Sequence, residues 1–378
     1  MTDWQALRRQ FPVTEHHIYM NHAAVAPLPQ TCVDGMQAYL LELSSHGAAR
    51  YPAPIVNVLT DLRSLGARLL GTTPPHVFVV RSTTQGLGLC VTSLPWKPGD
   101  NVVLADKEFP ANVRPWMPLA RRGVEVRRVP QRDGRIDLQD LRQRVDARTR
   151  VVSLSFVQFL SGFRLDLEAV ASLCRQHDAL FVVDGIQGVG VFPIEVEKQG
   201  VDFLSADGHK WMLGPEGVGI GYASPRALER MAPAVEGWLS VERPFDFFDL
   251  DQPLKKTAAR FEEGAHNVAG LYGFVESLRL LETYGTGAVA QRILELTDLL
   301  ADGLLARGWD VISPRDRLGE KSGIVLCARD GVAPDRLERR LIEANVVASI
   351  RGGALRLSPH AYNTPDEIAQ VLDVLAGA

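Results

Sequence analysis

Residues 201–217, VDFLSADGHKWMLGPEG, run from an apolar start through Lys210 into a further apolar stretch punctuated by glycine. Lys210 follows His209 and precedes Trp211, Met212 and Leu213, in a stretch otherwise poor in charge. Burial disfavours the ammonium form, so a lysine in such surroundings has a depressed pKa and can attack a carbonyl. An exposed lysine in a turn is the alternative, and the stretch alone does not choose between them. Composition adds weight to the first reading. Of the 41 basic residues only seven are lysine: Lys97, Lys107, Lys198, Lys210, Lys255, Lys256 and Lys321. Arginine stays protonated and cannot serve as that nucleophile.

Outward from this stretch, short apolar runs at 77–80, 101–105, 151–156, 180–183 and 217–222 alternate with amphipathic segments such as 138–145 and 166–177. Continuous apolar runs between helices predict an α/β fold, a mainly parallel sheet covered by helices on both faces. Ligand sites in such sheets gather where strands end. The pattern changes after about residue 225. A loop-like, aromatic segment at 236–253 carries Trp238, Phe245, Phe247 and Phe248, and a helical stretch follows at about 268–307. Short strands at 323–326 and 354–357 then mix with helices at 333–344 and 365–375, the mark of a smaller α+β unit. The expected division is a large domain over 16–260 and a small C-terminal domain over 261–378, with residues 1–15 joining the latter.

The 378 residues are 46% hydrophobic and 23% charged, ordinary for a soluble globular chain. A formal net charge of −4 gives no electrostatic footprint for nucleic acid. No apolar run approaches the roughly 18 residues of a membrane span, and the start MTDWQALRR lacks a signal's apolar core, so a cytoplasmic protein is expected. Cys32, Cys90, Cys174 and Cys327 are scattered without C-x-x-C pairs or nearby histidines, so neither a metal site nor a disulfide framework is expected.

Four further segments can carry chemistry. The run 180–183 ends in Asp184, followed by Gly185, Ile186 and Gln187. A carboxylate at the carboxyl end of a parallel strand could keep a pyridine nitrogen protonated, with Gln187 within reach of a ring hydroxyl. Asp is equally a favoured helix N-cap, stabilising by about 1 kcal/mol. The segment VFVVRSTTQGLGL, 77–89, leads a strand into Ser82, Thr83 and Thr84 at a helix start, an arrangement suited to phosphate or to plain capping. It has neither the G-K-[ST] of a Walker loop nor the third glycine of a dinucleotide fingerprint. Phe109, in Glu108-Phe109-Pro110, could stack on a planar ring, although core packing is the commoner use of phenylalanine. Arg356 ends a short strand within 351–364, RGGALRLSPHAYNT, and its fork matches a carboxylate; a surface arginine is the alternative.

Taken together, D-G-x-Q at 184–187, D-G-H-K-W-x-x-G-P-x-G at 207–217 and R-x-S-x-H-x-Y-N-T at 356–364 resemble the class V aminotransferases of fold type I. That group includes cysteine desulfurases, kynureninases and isopenicillin-N-epimerase-like proteins. The resemblance runs from Tyr19-Met20-Asn21-His22 to Tyr362-Asn363-Thr364, nearly the whole chain. It implies pyridoxal 5'-phosphate held as a Schiff base on Lys210, which would also shuttle the proton at the substrate's alpha carbon. By the same resemblance Asp184 pairs with the pyridinium nitrogen, and Gln187 and Gln158 lie near the ring oxygen. Thr83, Thr84 and His209 hold the phosphate, Phe109 stacks, and Arg356, with Asn21 and His22, binds the amino-acid substrate. The loop Glu236-Gly-Trp238-Leu-Ser240 and the segment 260–264 resemble pieces that approach the phosphate, in part from a partner subunit. A homodimer with shared active sites is implied.

Three departures from the family pattern bear on the reaction. Asp207 stands where desulfurases often have serine, and an anion facing phosphate would repel it, so its side chain is expected to point away. Gly264-Ala265-His266-Asn267 replaces the usual G-T-P-N and removes a hydroxyl. The segment before Arg356 contains no cysteine, and the nearest preceding one, Cys327, belongs to a strand-like run. A desulfurase needs a thiolate to accept sulfur, so that activity is disfavoured. Transamination of an amino acid is the expected reaction; a C–S or beta-elimination lyase is the alternative, and an epimerase ranks third. A non-enzymatic protein on this fold is not expected while Lys210, Asp184 and Arg356 are all present.

Overall fold

Seven strands rich in Val, Leu, Ile and Phe build the centre of the molecule, which a computed structural model describes over residues 2–377. In spatial order they are Val77–Val80, Gly219–Ala223, Phe203–Asp207, Leu180–Asp184, Thr149–Ser155, Asn101–Ala105 and Glu125–Val129. All run parallel except Gly219–Ala223, which is antiparallel to both neighbours. A parallel crossover needs a dozen or more residues, usually including a helix. The connection 208–218 has no helix, so the chain turns straight back along the strand it has just left. Lys210 sits on that return, at the carboxyl end of the sheet. Asp184 and Asp207 are the last residues of adjacent strands at the same end.

Helices cover the sheet closely. The helix Thr83–Ser93 begins with Ser82 accepting the N–H of Gln85 at 3.1 Å, an N-cap bond that satisfies one orphan donor of its first turn. It presses on the strand below at Gly86, where a Cβ would stand 2.2 Å from Ser205 Oγ. That contact brings Thr83 to the end of the strand Phe203–Asp207. The helix Val268–Tyr284 puts Leu271, Phe274 and Leu278 into the core of the large sheet. The core therefore does not change at the expected division between residues 260 and 261.

A second sheet, antiparallel, orders Asp310–Val311, Val325–Ala328, Ala354–Leu357 and Ser349–Arg351. Its separate core includes Leu300, Trp309, Val325, Cys327, Leu355 and Val371. Met20 lies in this core too, because Ile18–Tyr19 pairs in parallel with Val346–Val347. Next to it, Asn21 bridges Ser358, so the early chain is stitched to the segment that follows Arg356. Thr364 and Glu367 form a reciprocal capping box that starts the last helix, Pro365–Ala376, and fixes where that segment ends. Among the described residues no helix is long and apolar enough to cross a membrane.

Candidate active site

Lys210 is only 7% exposed. Burial lowers its pKa to about 8; Asp184 opposes the shift and Arg356 adds to it. An amine so placed is deprotonated in a substantial fraction near neutral pH and is therefore nucleophilic. Its Nζ stands 5.4 Å from the centroid of Phe109, a cation–π distance. Phe109 is 42% exposed, so its ring forms a wall of the site rather than part of the core. It meets Phe159 edge to face at 5.2 Å, and the carbonyl of Phe159 accepts a 2.7 Å bond from Arg356 Nη1. Lys210, Phe109, Phe159 and Arg356 thus form a continuous line from the large sheet to the small one.

Asp184 is fully enclosed, and its carboxyl accepts the N–H of Ile186 at 3.1 Å. Burial, then the neighbouring Glu108, raise its pKa to about 7, against the pull of the Ile186 N–H and Lys210. Glu108 was not singled out by the sequence, although it lies in the Glu-Phe-Pro motif. Its carboxylate accepts from Ser155 N at 2.8 Å, Ser155 Oγ at 2.5 Å and Gln158 Nε2 at 3.0 Å. Ser155 is the register partner of Asp184, so two acidic groups flank one position of the sheet. The available signal was an acidic residue three positions after a strand end, too common a pattern to be decisive.

The two glutamines are held rigidly. Gln158 Oε1 takes a 2.7 Å bond from Gln131 while its amide nitrogen donates to Glu108. Gln187 accepts from the Trp211 indole at 2.8 Å and donates to the carbonyl of Ala23 at 2.9 Å. Each retains one amide hydrogen for a further acceptor.

At the helix start, Thr83 is buried and Thr84 exposed. Thr83 Oγ1 accepts the N–H of Asp207 at 3.0 Å and keeps its own proton free to donate. His209 Nδ1 is 3.1 Å from Asp207 Oδ2, so that carboxylate is turned toward the histidine instead of standing clear of it.

One expectation is corrected by the geometry. His22 has no ring nitrogen left for a substrate. Its Nδ1 faces the Ser358 carbonyl at 3.1 Å and must donate there, so Nε2 accepts from the Tyr362 hydroxyl at 2.9 Å. Within one chain Trp238 packs with Phe245 at 5.9 Å and Phe247 at 6.1 Å in the aromatic loop, the segment expected to approach the phosphate in part from a partner subunit. Asn21, by contrast, keeps a buried, unpartnered Oδ1, and Arg356 a buried, unpartnered Nε. Unsatisfied buried polar atoms are costly unless a ligand completes them.

A buried low-pKa lysine, a carboxyl at the next strand end, a hydroxyl-bearing helix start and an arginine with an unpartnered Nε fit pyridoxal phosphate and an amino-acid carboxylate. The fold and cofactor are those of a fold type I pyridoxal-phosphate enzyme. The chain belongs to the class-V aminotransferase family, whose model matches residues 18–371. A relative named probable cysteine desulfurase, from Methanothermobacter thermautotrophicus, is 27% identical over 98% of both chains. Other relatives of similar identity carry the cysteine desulfurase name, and one, from Bacillus subtilis, is named an uncharacterized aminotransferase. The apo cysteine desulfurase of Thermococcus onnurineus NA1 superposes with a TM-score of 0.90 at 24% identity, covering 100% of this chain and 98% of that one. The cystine C–S lyase C-DES, in complex with its reaction product cysteine persulfide, superposes at 0.89 and 24% identity, covering 97% and 99%.

Proposed function

We propose that this chain is a pyridoxal-phosphate-dependent lyase that breaks the C–S bond of a cysteine-like amino acid and releases the sulfur without passing it to a thiol of its own. The observation that carries the reading is the state of the cysteines. All four are free and buried, and burial pushes the thiol of Cys327, inside the strand Val325–Ala328, up to about 12. A protonated, enclosed thiol does not accept sulfur. Relatives named for desulfuration and C–S lysis support a sulfur amino acid as substrate. They shift the balance away from the transamination expected from the sequence.

What bound pyridoxal phosphate supplies is an electron sink for the pair left at the alpha carbon. The roles of the chain's own groups follow from their positions. Asp184 would hold a proton at the ring nitrogen, and Gln158 and Gln187 would donate their remaining amide hydrogens to the ring oxygen. Thr83, the backbone of the helix start and His209 would hold the phosphate. Arg356 Nε and Asn21 would take the substrate's carboxylate end, and Lys210 Nζ would remove the alpha proton once the substrate has displaced it. In elimination the sulfur leaves with the bonding pair, and pyruvate and ammonia follow by hydrolysis.

A homodimer is the accompanying proposal. Leu40 and Leu41 on the helix Gln30–His46, Val56 on the helix Ala53–Leu70, Tyr51 in the turn between them, and Phe247, Phe248 and Leu250 on the aromatic loop, are exposed. An apolar surface of that extent suits a second copy. Transamination is the second reading, favoured by the family and by the aminotransferase relative. Incubation with L-cysteine, L-cystine and a panel of other amino acids separates the two. Pyruvate with sulfide or persulfide is expected; a keto acid with stoichiometric conversion of the cofactor to its amine form would replace the lyase by an aminotransferase.

A further inference from the structure

We propose that Asp207 is a positioning residue for the cofactor phosphate, acting through His209. The inference rests on the phosphate reading given above and deepens it. Asp207 closes the strand Phe203–Asp207 and is 6% exposed. Both of its carboxylate oxygens are committed to the protein: Oδ1 accepts the N–H of Gly208 at 2.8 Å, and Oδ2 lies 3.1 Å from His209 Nδ1. That nitrogen is closed off from solvent, and the contact is an ion-pair distance rather than an aligned hydrogen bond. The backbone N–H of Asp207 donates to Thr83 Oγ1, so the same residue ties the strand end to the helix start.

This arrangement changes what an acidic residue does at such a place. A bare carboxylate would repel a phosphate dianion by Coulomb's law. A carboxylate that faces a histidine compensates the charge of a doubly protonated ring, and leaves the ring's other N–H as a charge-assisted donor to phosphate. Where a serine would offer one hydroxyl directly, Asp207 acts through its neighbour's ring. Two opposite signs follow for removal of the charge: repulsion predicts tighter phosphate binding, and positioning predicts weaker binding.

The test compares pyridoxal phosphate with pyridoxal, which lacks the phosphate, by absorbance and fluorescence titration of the full-length apoprotein. The quantity read is the ratio of the two dissociation constants. In Asp207→Asn the preference for the phosphorylated form is expected to fall about tenfold, the scale of one charge-assisted bond. Pyridoxal affinity is expected to stay level, because it reads Lys210 and the ring contacts alone. His209→Asn should lose as much, and the double variant no more than either single one. An unchanged or increased preference in Asp207→Asn, no loss in His209→Asn, or full additivity would overturn the proposal. If Asp207→Asn binds neither compound, Asp207→Ala decides by the same ratio, and His209→Asn alone still can. Wild-type protein that fails to favour the phosphorylated form would instead refute the underlying cofactor assignment, a separate and visible outcome.

Discussion

The carboxyl end of the large sheet and the junction near the small one are equally buried, yet Lys210 in the one and His22 in the other are treated in opposite ways. At the junction His22 has a partner for each nitrogen, and burial holds its pKa down to about 3 despite the Ser358 carbonyl. At the sheet end burial brings Lys210 down to about 8 and, with Glu108, Asp184 up to about 7, and Arg356 Nε is left unpaired. A ring with a partner at each nitrogen is held in one conformation and has no nitrogen left for a ligand. Groups with open valences and pKa values near neutrality are costly to keep folded, and they are where chemistry takes place. Cys327 belongs with the first region: a nucleophile by type, silenced by its place inside a strand.

The contrast can be broken most forcefully at Lys210. Lys210→Ala should abolish the visible absorption of the lysine-bound cofactor and reduce turnover by about a thousandfold or more, as expected for loss of both an attachment point and a proton-transfer group. A retained band would move the cofactor elsewhere. Arg356→Ala should raise KM for alpha-carboxylate substrates by about ten- to a hundredfold, the scale of a charge-assisted bond. An unchanged KM would remove Arg356 from the substrate site.

The same contrast is sharpened by pH. The neutral amine is the reactive form, so the rate at which apoprotein captures pyridoxal phosphate should rise with pH and level off above about 8, the value burial sets for Lys210. A midpoint near 10.5 would mean an exposed, ordinary lysine. His22 works in the other direction. Its folded pKa lies below its ordinary 6.5, so its contribution to stability is present above 6.5 and is lost as pH falls toward about 3. Acid unfolding followed by circular dichroism should therefore show a shallower pH dependence in His22→Gln. Tyr362→Phe should leave His22 Nε2 unpaired and cost about 1–3 kcal/mol of stability, with kcat/KM for the holoenzyme nearly unchanged. A large loss of kcat/KM would put the junction inside the active site. The smallest effect is expected at Cys327: Cys327→Ala should leave C–S lysis intact, and iodoacetamide should not label the folded protein. Loss of sulfur release in that variant would restore the desulfurase reading.

Much of the fold could be read in the sequence because strand type depends on local patterning. Apolar runs marked five of the seven strands of the large sheet. Of the other two, Phe203–Asp207 is interrupted by Ser205 and Asp207, and Glu125–Val129 is an edge strand whose Arg127 and Arg128 hide it among polar residues. The reversed direction of Gly219–Ala223 was not legible either, since direction depends on what the connection packs against. Among site residues, Lys210, Asp184, Thr83 and Arg356 stood out by type and spacing. Glu108 and Trp211 did not, because an acid beyond a strand and a tryptophan in a core look the same whether or not they hold a neighbour's amide in place.

By itself, then, the sequence determined the apolar setting of Lys210, the alternation that makes a parallel sheet, and the lack of a thiol just before Arg356. Those are matters of residue identity and order along the chain. Only the tertiary structure decided that Lys210 is desolvated, that Asp207 faces His209 and that His22 is spent on Ser358 and Tyr362. Such facts depend on where the folded backbone aims each side chain and on which distant groups it brings within 2.9–5.4 Å, where burial and charge reset what each side chain can do.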